Sequence, residues 1–386
     1  MKKMIIAICC FTLLFSGSIQ AGGEPQLPKP ITVTRNGLIM SVRPELELLT
    51  IVQYMGKDNM NIRYGLISRF YTNYKKDIDD HFRKYDNHPA VQYYENAAFS
   101  AIDEPPAMIL FMRPDFTVDE EAYRSYIKQF DSNDFYFDEI EKLQEFFDLL
   151  KDFYLASDFE SFFKKHIDYY QTILNNTLAI LPEENLLGYM EEFYGQKFDE
   201  YNVVLVTLFH TGGFGPSIAK GEQRFIYSLL GPNDVADRIP VFWDCDYFTE
   251  LEAHEFGHSF IPISGEEHFA EWIEKSKHLL EPISEEMAGL AYSDWDTVLE
   301  ELILRACVVE MMKYYNPERA EQLLAEEREN GFIYIDTVCK SINKYLADSV
   351  QHLLNPVSTD GCTRAVYKNF NTFIPLIIED LIVTYP

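Results

Sequence analysis

The feature that most constrains the fold of this 386-residue chain is the stretch YFTELEAHEFGHSFIPI, residues 247–263. It contains two of the nine histidines, His254 and His258, which lie four residues apart. In an α-helix, positions i and i+4 lie on one face, one turn apart, so a helix would direct both imidazoles towards one point. Gly257 lies inside the same stretch, where glycine costs about 1 kcal/mol. We therefore predict that another backbone packs closely at Gly257.

The rest of the chain predicts an α+β fold that is predominantly helical. A short hairpin is expected around Asn36-Gly37, and a helix is expected to begin at Pro44. From there to about Gly195, apolar and aromatic residues recur at helical spacing with charges between them. The segments NVVLVTLFH (202–210) and RFIYSLLG (224–231) are typical of strands. The remainder again has helical patterns, interrupted by turns rich in Pro and Gly.

The first 21 residues predict export of the protein. They have the charged, apolar and small-residue order of a secretory signal peptide, 1–21, with cleavage expected after Ala21. The product would be secreted or periplasmic, without stable insertion in a membrane once the signal is removed. We divide the remainder into a mostly helical N-terminal region, 22–200, and a second domain, 201–386.

Composition and motif searches exclude several classes of function. A formal charge of −29 disfavours nucleic acid and anionic membranes as partners. The glycine-rich GGFG at 212–215 lacks the Gly-Lys-Ser/Thr of a Walker loop and the third glycine of a dinucleotide site. The chain has no GxSxG serine-hydrolase motif. It has no CxxC pair either, and its cysteines beyond the signal either form disulfides or remain buried thiols.

The pattern HEFGH predicts a catalytic zinc site. His254 and His258 would bind Zn²⁺, and Glu255 would act as the general base. Zinc lowers the pKa of its bound water towards neutrality, Glu255 would accept the proton, and the resulting hydroxide would attack a peptide carbonyl. The alternative is an ordinary helix on which two histidines face a polar groove.

The third zinc ligand is expected to be an acid. A metzincin would have a glycine and a histidine where Ile261 and Ser264 stand, so that pattern is excluded. His268 and His278 lie among charged residues and are interpreted as surface residues. The glutamates of the same segment are also expected at the surface: Glu266, Glu267, Glu271, Glu274, Glu281, Glu285 and Glu286.

The segment WDTVLEELILRACVVEMM supplies the best candidate. Glu300, Glu301 and Arg305 interrupt an otherwise apolar helix, and a buried charge must be paired or bound to a metal. Arg305 follows Glu301 by four residues, so its guanidinium can hold one carboxylate oxygen while the other faces zinc. We predict Glu301 as the ligand and Glu300 as the second choice. The alternative is an ordinary surface pair of Glu301 and Arg305.

Five segments of the chain resemble a group of secreted bacterial proteins that carry a gluzincin-like domain of unknown function. The matching segments are VRPELELLTIV near residue 42, YDNHPAV at 85–91, GGFG, HEFGHSF and EELILRA. The resemblance implies a zincin-like (gluzincin) catalytic half fused to the helical N-terminal part. It also implies His254, His258 and Glu301 as the zinc ligands.

The resemblance further implies a small sheet above the HExxH helix, whose edge binds the substrate backbone as an added strand. One of the two strand segments, 202–210 or 224–231, is expected to supply that edge, with HTGGFG beside the cleft. His210 is either an oxyanion or substrate contact or, as is more usual at a strand end, a hydrogen-bonded polar residue. No catalytic tyrosine is assigned among Tyr292, Tyr314 and Tyr315.

We therefore expect a secreted zinc-dependent metallopeptidase that acts on a peptide or protein substrate. Two other functions remain open at this stage. One is a catalytically silent extracellular binding protein on a peptidase fold, although such a protein has no chemical need for Glu255. The other is a zinc amidase with a non-peptide substrate, because the same attack serves any carbonyl. The sequence does not determine the oligomeric state.

Overall fold

The computed structural model describes residues 24–56, 65–99, 101–128, 135–264, 266–353 and 369–386. The predicted signal peptide, 1–21, and Cys362 lie outside these residues. The fold is α+β and about 60% helical, with a small mixed sheet, as predicted. Among the helices that the structure describes, none has the length and apolar character needed to cross a bilayer.

Within the described residues, nine α-helices precede the strand that begins at residue 200. They are α1 (Pro44–Met55), α2 (Asn73–Phe82), α3 (Pro89–Asn96), α4 (Glu104–Met108), α5 (Glu120–Ile127), α6 (Ile140–Ser157), α7 (Phe159–Lys165), α8 (Ile167–Ile180) and α9 (Leu186–Tyr194). Their aromatic residues form a buried layer, in which Phe82 packs edge-on against Phe162 and parallel to Phe153. This is the packed helical layer that the spacing of apolar residues predicts.

The predicted hairpin is present at the N-terminal end. Its strands are β1 (Ile31–Arg35) and β2 (Leu38–Val42). Asn36 and Gly37 both have positive φ, 49° and 86°, as the tightest hairpin turns require. Helix α1 then begins at Pro44, as predicted.

The hairpin belongs to a five-stranded sheet. The other strands are β3 (Glu200–Leu205), β4 (Ser217–Lys220) and β5 (Gln223–Leu230), and the order is β1-β2-β3-β5-β4. Strand β3 is parallel to both β2 and β5, whereas β1 and β4 run antiparallel to their neighbours. The predicted boundary between the two domains, after residue 200, falls at the first residue of β3. The division into two domains stays a prediction. A separate antiparallel pair, β6 (Asp234–Ala236) and β7 (Ile239–Val241), follows.

The prediction for the sheet edge was wrong. The segments at 202–210 and 224–231 contain β3 and β5, which are inner strands of the sheet. Strand β4 lies at the edge. The GGFG before it continues the pairing with β5, because the N–H and C=O of Phe214 both bond to Leu229. Glycines made this segment look like a turn, whereas here they permit close approach to a helix below.

Seven α-helices follow β7 in the part of the chain that the structure describes. They are α10 (Cys245–Phe260), α11 (Ala270–Ser276), α12 (Ser284–Gly289), α13 (Trp295–Tyr315), α14 (Pro317–Glu329), α15 (Ile335–Leu353) and α16 (Ile374–Thr384). Helix α10 packs between β5 and α13. A Cβ atom on Gly257 would lie 2.3 Å from Cδ1 of Leu304 on α13. A close neighbour at this glycine is therefore confirmed, but it is a side chain of α13 and not the predicted backbone.

A buried carboxylate connects α1 to the loop that leads towards β4. Glu47 is fully buried. It accepts hydrogen bonds from the backbone N–H and the hydroxyl of Thr207, at 3.0 and 2.8 Å, and from the Tyr74 hydroxyl at 2.7 Å. Burial raises the pKa of Glu47, and these hydrogen bonds oppose that effect. The loop after β3 is thus held by a residue that lies 160 positions earlier in the chain.

Candidate metal centre

Helix α10 positions three of the predicted site residues. Asp244 caps its first turn by accepting a hydrogen bond from Tyr247 N–H at 3.1 Å. The helix continues to Phe260 without interruption, so His254 and His258 lie one turn apart, with ring centroids separated by 5.0 Å. Glu255 is buried, at 7% exposure.

Helix α13 brings Glu301 to the two histidines. Glu301 Oε2 lies 3.7 Å from His254 Nε2, and Glu301 Oε1 lies 3.5 Å from His258 Nε2. One ligand atom from each of these three residues lies within 4.8 Å of the other two. The group could therefore hold a metal ion. Because Glu301 is buried, the alternative of a surface pair with Arg305 is wrong.

Glu300, the second choice as ligand, has a different position. Its Oε1 lies 3.2 Å from Nδ1 of His258, on the side of the ring opposite Nε2. Its Oε2 accepts hydrogen bonds from the backbone N–H groups of Ile263 and Ser264, at 2.7 and 2.8 Å. Glu300 therefore orients His258 with Nδ1 as the donor, so Nε2 is the nitrogen that would bind a metal after losing its proton.

Arg305 holds the other carboxylate in place. Its Nε donates to Glu301 Oε2 at 3.1 Å, its Nη1 to Glu327 Oε1 at 2.8 Å, and its Nη2 to the Tyr292 hydroxyl at 3.3 Å. The predicted i, i+4 pair is thus present, and Glu327 on α14 extends it. This arrangement leaves Glu301 Oε1 directed at His258.

The titratable groups of the centre have shifted pKa values. Burial, together with His258 and Arg305, holds the pKa of His254 well below its ordinary value. Burial also lowers the pKa of His258, but Glu300 and Glu301 outweigh it and raise that pKa to about 9. Burial raises the pKa of Glu255 to about 7, with His258 opposing. A carboxyl group with this pKa can both accept and release a proton near neutrality.

The GGFG segment lies directly above Glu255. A Cβ atom on Gly213 would be 2.8 Å from Cγ of Glu255, and one on Gly215 would be 2.2 Å from its backbone oxygen. Both positions therefore require glycine. Phe214 bonds inward to Leu229, so the backbone groups of Gly213 and Gly215 point away from β5. They have no hydrogen-bond partner within the part of the chain that the structure describes.

A cavity of about 720 Å³ opens at the centre. Its lining includes Glu255, the three candidate ligands and Gly212–Gly215. It also includes residues from α14 and from the first turns of α10. The edge of the sheet, the two histidines and Glu255 thus share one solvent-accessible space.

Sequence analysis missed Asp103 and assigned no role to Tyr292, and both line this cavity. Asp103 comes from the helical N-terminal region and its negative charge contributes to the raised pKa of Glu255. No spacing in the sequence indicated that either residue would lie at the site. His210 lies near Asp103, with 3.5 Å between its Nε2 and Asp103 Oδ1, and its Nδ1 faces the Thr211 carbonyl oxygen. Its ring nitrogens are directed at these two groups.

The other histidines and acids considered as ligands lie apart from the centre. His268 and His278 are exposed, as predicted. The seven glutamates between Glu266 and Glu286 that were expected at the surface are all exposed. Tyr314 stacks on Tyr189. The described cysteines are free thiols, with Cys307 and Cys339 buried and Cys245 exposed.

Comparison with protein families gives a match, whereas comparison with individual proteins does not. No curated protein and no solved structure matches the chain. A family model described as Domain of unknown function (DUF4932) matches residues 38–352, which include both strands β2 and β3, the two histidines and helix α13. The chain therefore belongs to the DUF4932 family.

Proposed function

We propose that this protein is an exported zinc-dependent metallopeptidase of the gluzincin type, with a zincin-like catalytic half. The observation that carries the proposal is the meeting of His254, His258 and Glu301, with ligand atoms within 4.8 Å of one another, beside the buried Glu255. Two histidines and one acid, with a further carboxylate nearby, are the residues that such hydrolases use.

The donor set fits zinc. Donors about 2.0–2.1 Å from a tetrahedral zinc ion are about 3.4 Å apart. Each histidine has an oxygen of Glu301 near that distance, Oε1 at 3.5 Å from His258 and Oε2 at 3.7 Å from His254. His258 has an outer partner in Glu300, and Glu301 has one in Arg305. Such outer partners commonly accompany zinc ligands. When bound, zinc would activate a water molecule and polarise the scissile carbonyl.

Glu255 is suited to move the proton. Its pKa of about 7 makes it a base strong enough to take a proton from water and an acid strong enough to pass it to the leaving amine. Gly213 and Gly215 above it leave no room for side chains that would displace its carboxylate. Glu255 on α10 is thus packed against the sheet edge.

The sheet edge is suited to bind an extended peptide. The outward N–H and C=O groups of Gly213 and Gly215 can pair with a substrate backbone that adds as a strand. Such a strand would pass over Glu255 and the histidines, because the glycines lie directly above Glu255. This edge favours a peptide over a small non-peptide amide.

The experiment measures zinc per chain and hydrolysis in wild type, Glu255→Gln and Glu301→Gln. We expect Glu255→Gln to keep its metal and lose about 100- to 10,000-fold in rate. We expect Glu301→Gln to lose affinity for metal. Glu267→Gln, a change at an exposed acid, is the matched control and should behave as wild type.

Three outcomes would contradict the proposal. Full zinc occupancy in the Glu301→Gln variant would show that another residue is the third ligand. A wild type with one zinc per chain and no hydrolysis of proteins, peptides or cell-wall fragments would favour a silent binding protein. Activity on cell-wall fragments alone would favour the amidase.

A further inference from the structure

The cavity extends well beyond the metal centre. It follows one face of α10 towards the helix start, past Leu251 and Glu250 to Tyr247. Tyr247 precedes His254 by seven residues, which corresponds to about 10 Å along a helix. Helices α13 and α14 form the opposite wall, with Val308 and Leu323 among its apolar residues. This extension is long enough to receive one large side chain of a substrate.

The guanidinium of Arg319 in this wall is already fully engaged. Its Nε and Nη2 donate to the two oxygens of Glu250, at 2.9 and 3.2 Å. Its Nη1 and Nη2 donate to the two oxygens of Glu326, at 2.7 and 2.8 Å. Arg319 itself is 7% exposed. It has little capacity left to bind a carboxylate of a substrate.

The same is true of Arg305, the second arginine in the cavity. It is shared between Glu301 and Glu327. Glu327 is 5% exposed, and its Oε2 has no hydrogen-bond partner within the described residues. A buried carboxylate oxygen without a donor is costly, so this wall has unused capacity to accept a hydrogen bond.

The wall therefore carries more negative than positive charge. Apart from the candidate metal ligand Glu301, three carboxylates, those of Glu250, Glu326 and Glu327, face two guanidinium groups. The two arginines therefore leave the charge of one carboxylate unbalanced. The ring of Trp243 also lines the cavity, and a ring face attracts cations. The face of Tyr247 is already covered by the Arg319 guanidinium, 4.7 Å from the ring centroid.

We propose that this extension is a specificity site for a positively charged group of the substrate, an ammonium or guanidinium. This inference rests on the proposed peptidase function and names the class of its substrates: peptides with a basic side chain near the scissile bond, or with a free amino terminus. A substrate carboxylate or an acidic side chain is excluded from the same site by charge.

The test measures equilibrium binding to the metal-loaded full mature chain carrying Glu255→Gln, which prevents turnover. The probes are N-acetylated hexapeptides that are identical except for Lys, norleucine or Glu at one position, scanned along the peptide. A fourth set has norleucine and a free amino terminus. We expect one position at which Lys binds about tenfold more tightly than norleucine, and Glu more weakly than both.

Two further variants show whether the preference comes from this wall. Glu326→Gln removes one of its charges at a half-exposed side chain, 49% exposed, so folding is not threatened. It should reduce the preference for Lys to about threefold or less. Glu321→Gln is the matched control, because Glu321 is an exposed acid on the same helix, α14. It should leave the preference unchanged.

The outcomes separate this inference from the proposed function. Equal binding of Lys and norleucine at every position, without a gain from the free amino terminus, would overturn the inference. A preference for Lys that survives intact in Glu326→Gln would overturn it too, because overall charge would then explain the preference. If wild type hydrolyses no amide but Lys still binds preferentially, the peptidase proposal fails and the cation site stands.

Discussion

The role of Glu300 leads to a sharp prediction, because Glu300→Gln changes the shape of this side chain very little. Oε2 of Glu300 accepts hydrogen bonds from the backbone N–H groups of Ile263 and Ser264. In the Gln variant, only the amide oxygen can accept these two hydrogen bonds, so it takes the place of Oε2. The amide nitrogen then faces Nδ1 of His258. Two donors cannot pair, and His258 is driven to the tautomer that carries its proton on Nε2.

The magnitude follows from the role of such outer partners. The Nε2-protonated tautomer cannot bind a metal, and loss of an outer carboxylate typically weakens metal affinity about 10- to 100-fold. This corresponds to about 1.4–2.7 kcal/mol. We expect Glu300→Gln to reach full metal occupancy, but only at about 10- to 100-fold higher free zinc than wild type. The zinc affinity of Glu301→Gln, which loses a ligand, should fall further than that of Glu300→Gln.

The assay is competition for zinc with a chromophoric chelator at fixed pH. Asp296→Asn is the matched control, since Asp296 lies on the same helix and contacts Ser264 but not His258. A zinc affinity of Glu300→Gln within twofold of wild type would refute the reasoning. The melting temperature without zinc, measured in parallel, shows whether the loss reflects the site or the fold.

Three further predictions concern the same region. Gly215→Ala places a Cβ 2.2 Å from the Glu255 backbone oxygen, so we expect at least about tenfold less hydrolysis per zinc-loaded chain, with Ser217→Ala as the control. Gly257→Ala meets Leu304 at 2.3 Å and should lower the free energy of unfolding by about 1–3 kcal/mol in chemical denaturation, with partial recovery on adding Leu304→Val. Because the pKa of His258 is raised to about 9, it is protonated at pH 7 and must lose that proton to bind zinc. Calorimetry in buffers of different ionisation enthalpy should show about one proton released from it at pH 7, and zinc affinity should fall as the pH is lowered.

Local patterns predicted much of the fold. Asn36-Gly37 specified the hairpin turn and Pro44 the start of α1, because turn and helix-start preferences act over a few residues. The position of the sheet edge did not follow, because it depends on pairing between β2 and β3, far apart in sequence. A strand segment's own composition does not show which strands will flank it.

The site shows the same division between local and distant information. An i, i+4 spacing predicted the pair of histidines and the contact of Glu301 with Arg305, because helix geometry fixes both. The preference for Glu301 over Glu300 as ligand agrees with the group that could hold a metal ion, and it stays a prediction. The hydrogen bond between Glu300 and His258 was not predicted. Asp103 gave no signal, since its place in the cavity depends on how the N-terminal helices pack against the rest.

The position of β2 beside β3 has a consequence for working with fragments of this protein. In a fragment that begins at residue 201, β3 would lose its parallel neighbour and expose the backbone groups of an apolar segment, and Thr207 would lose Glu47. Exposed apolar strand edges recruit other chains. Such a fragment would be expected to aggregate, however complete its zinc-binding residues are.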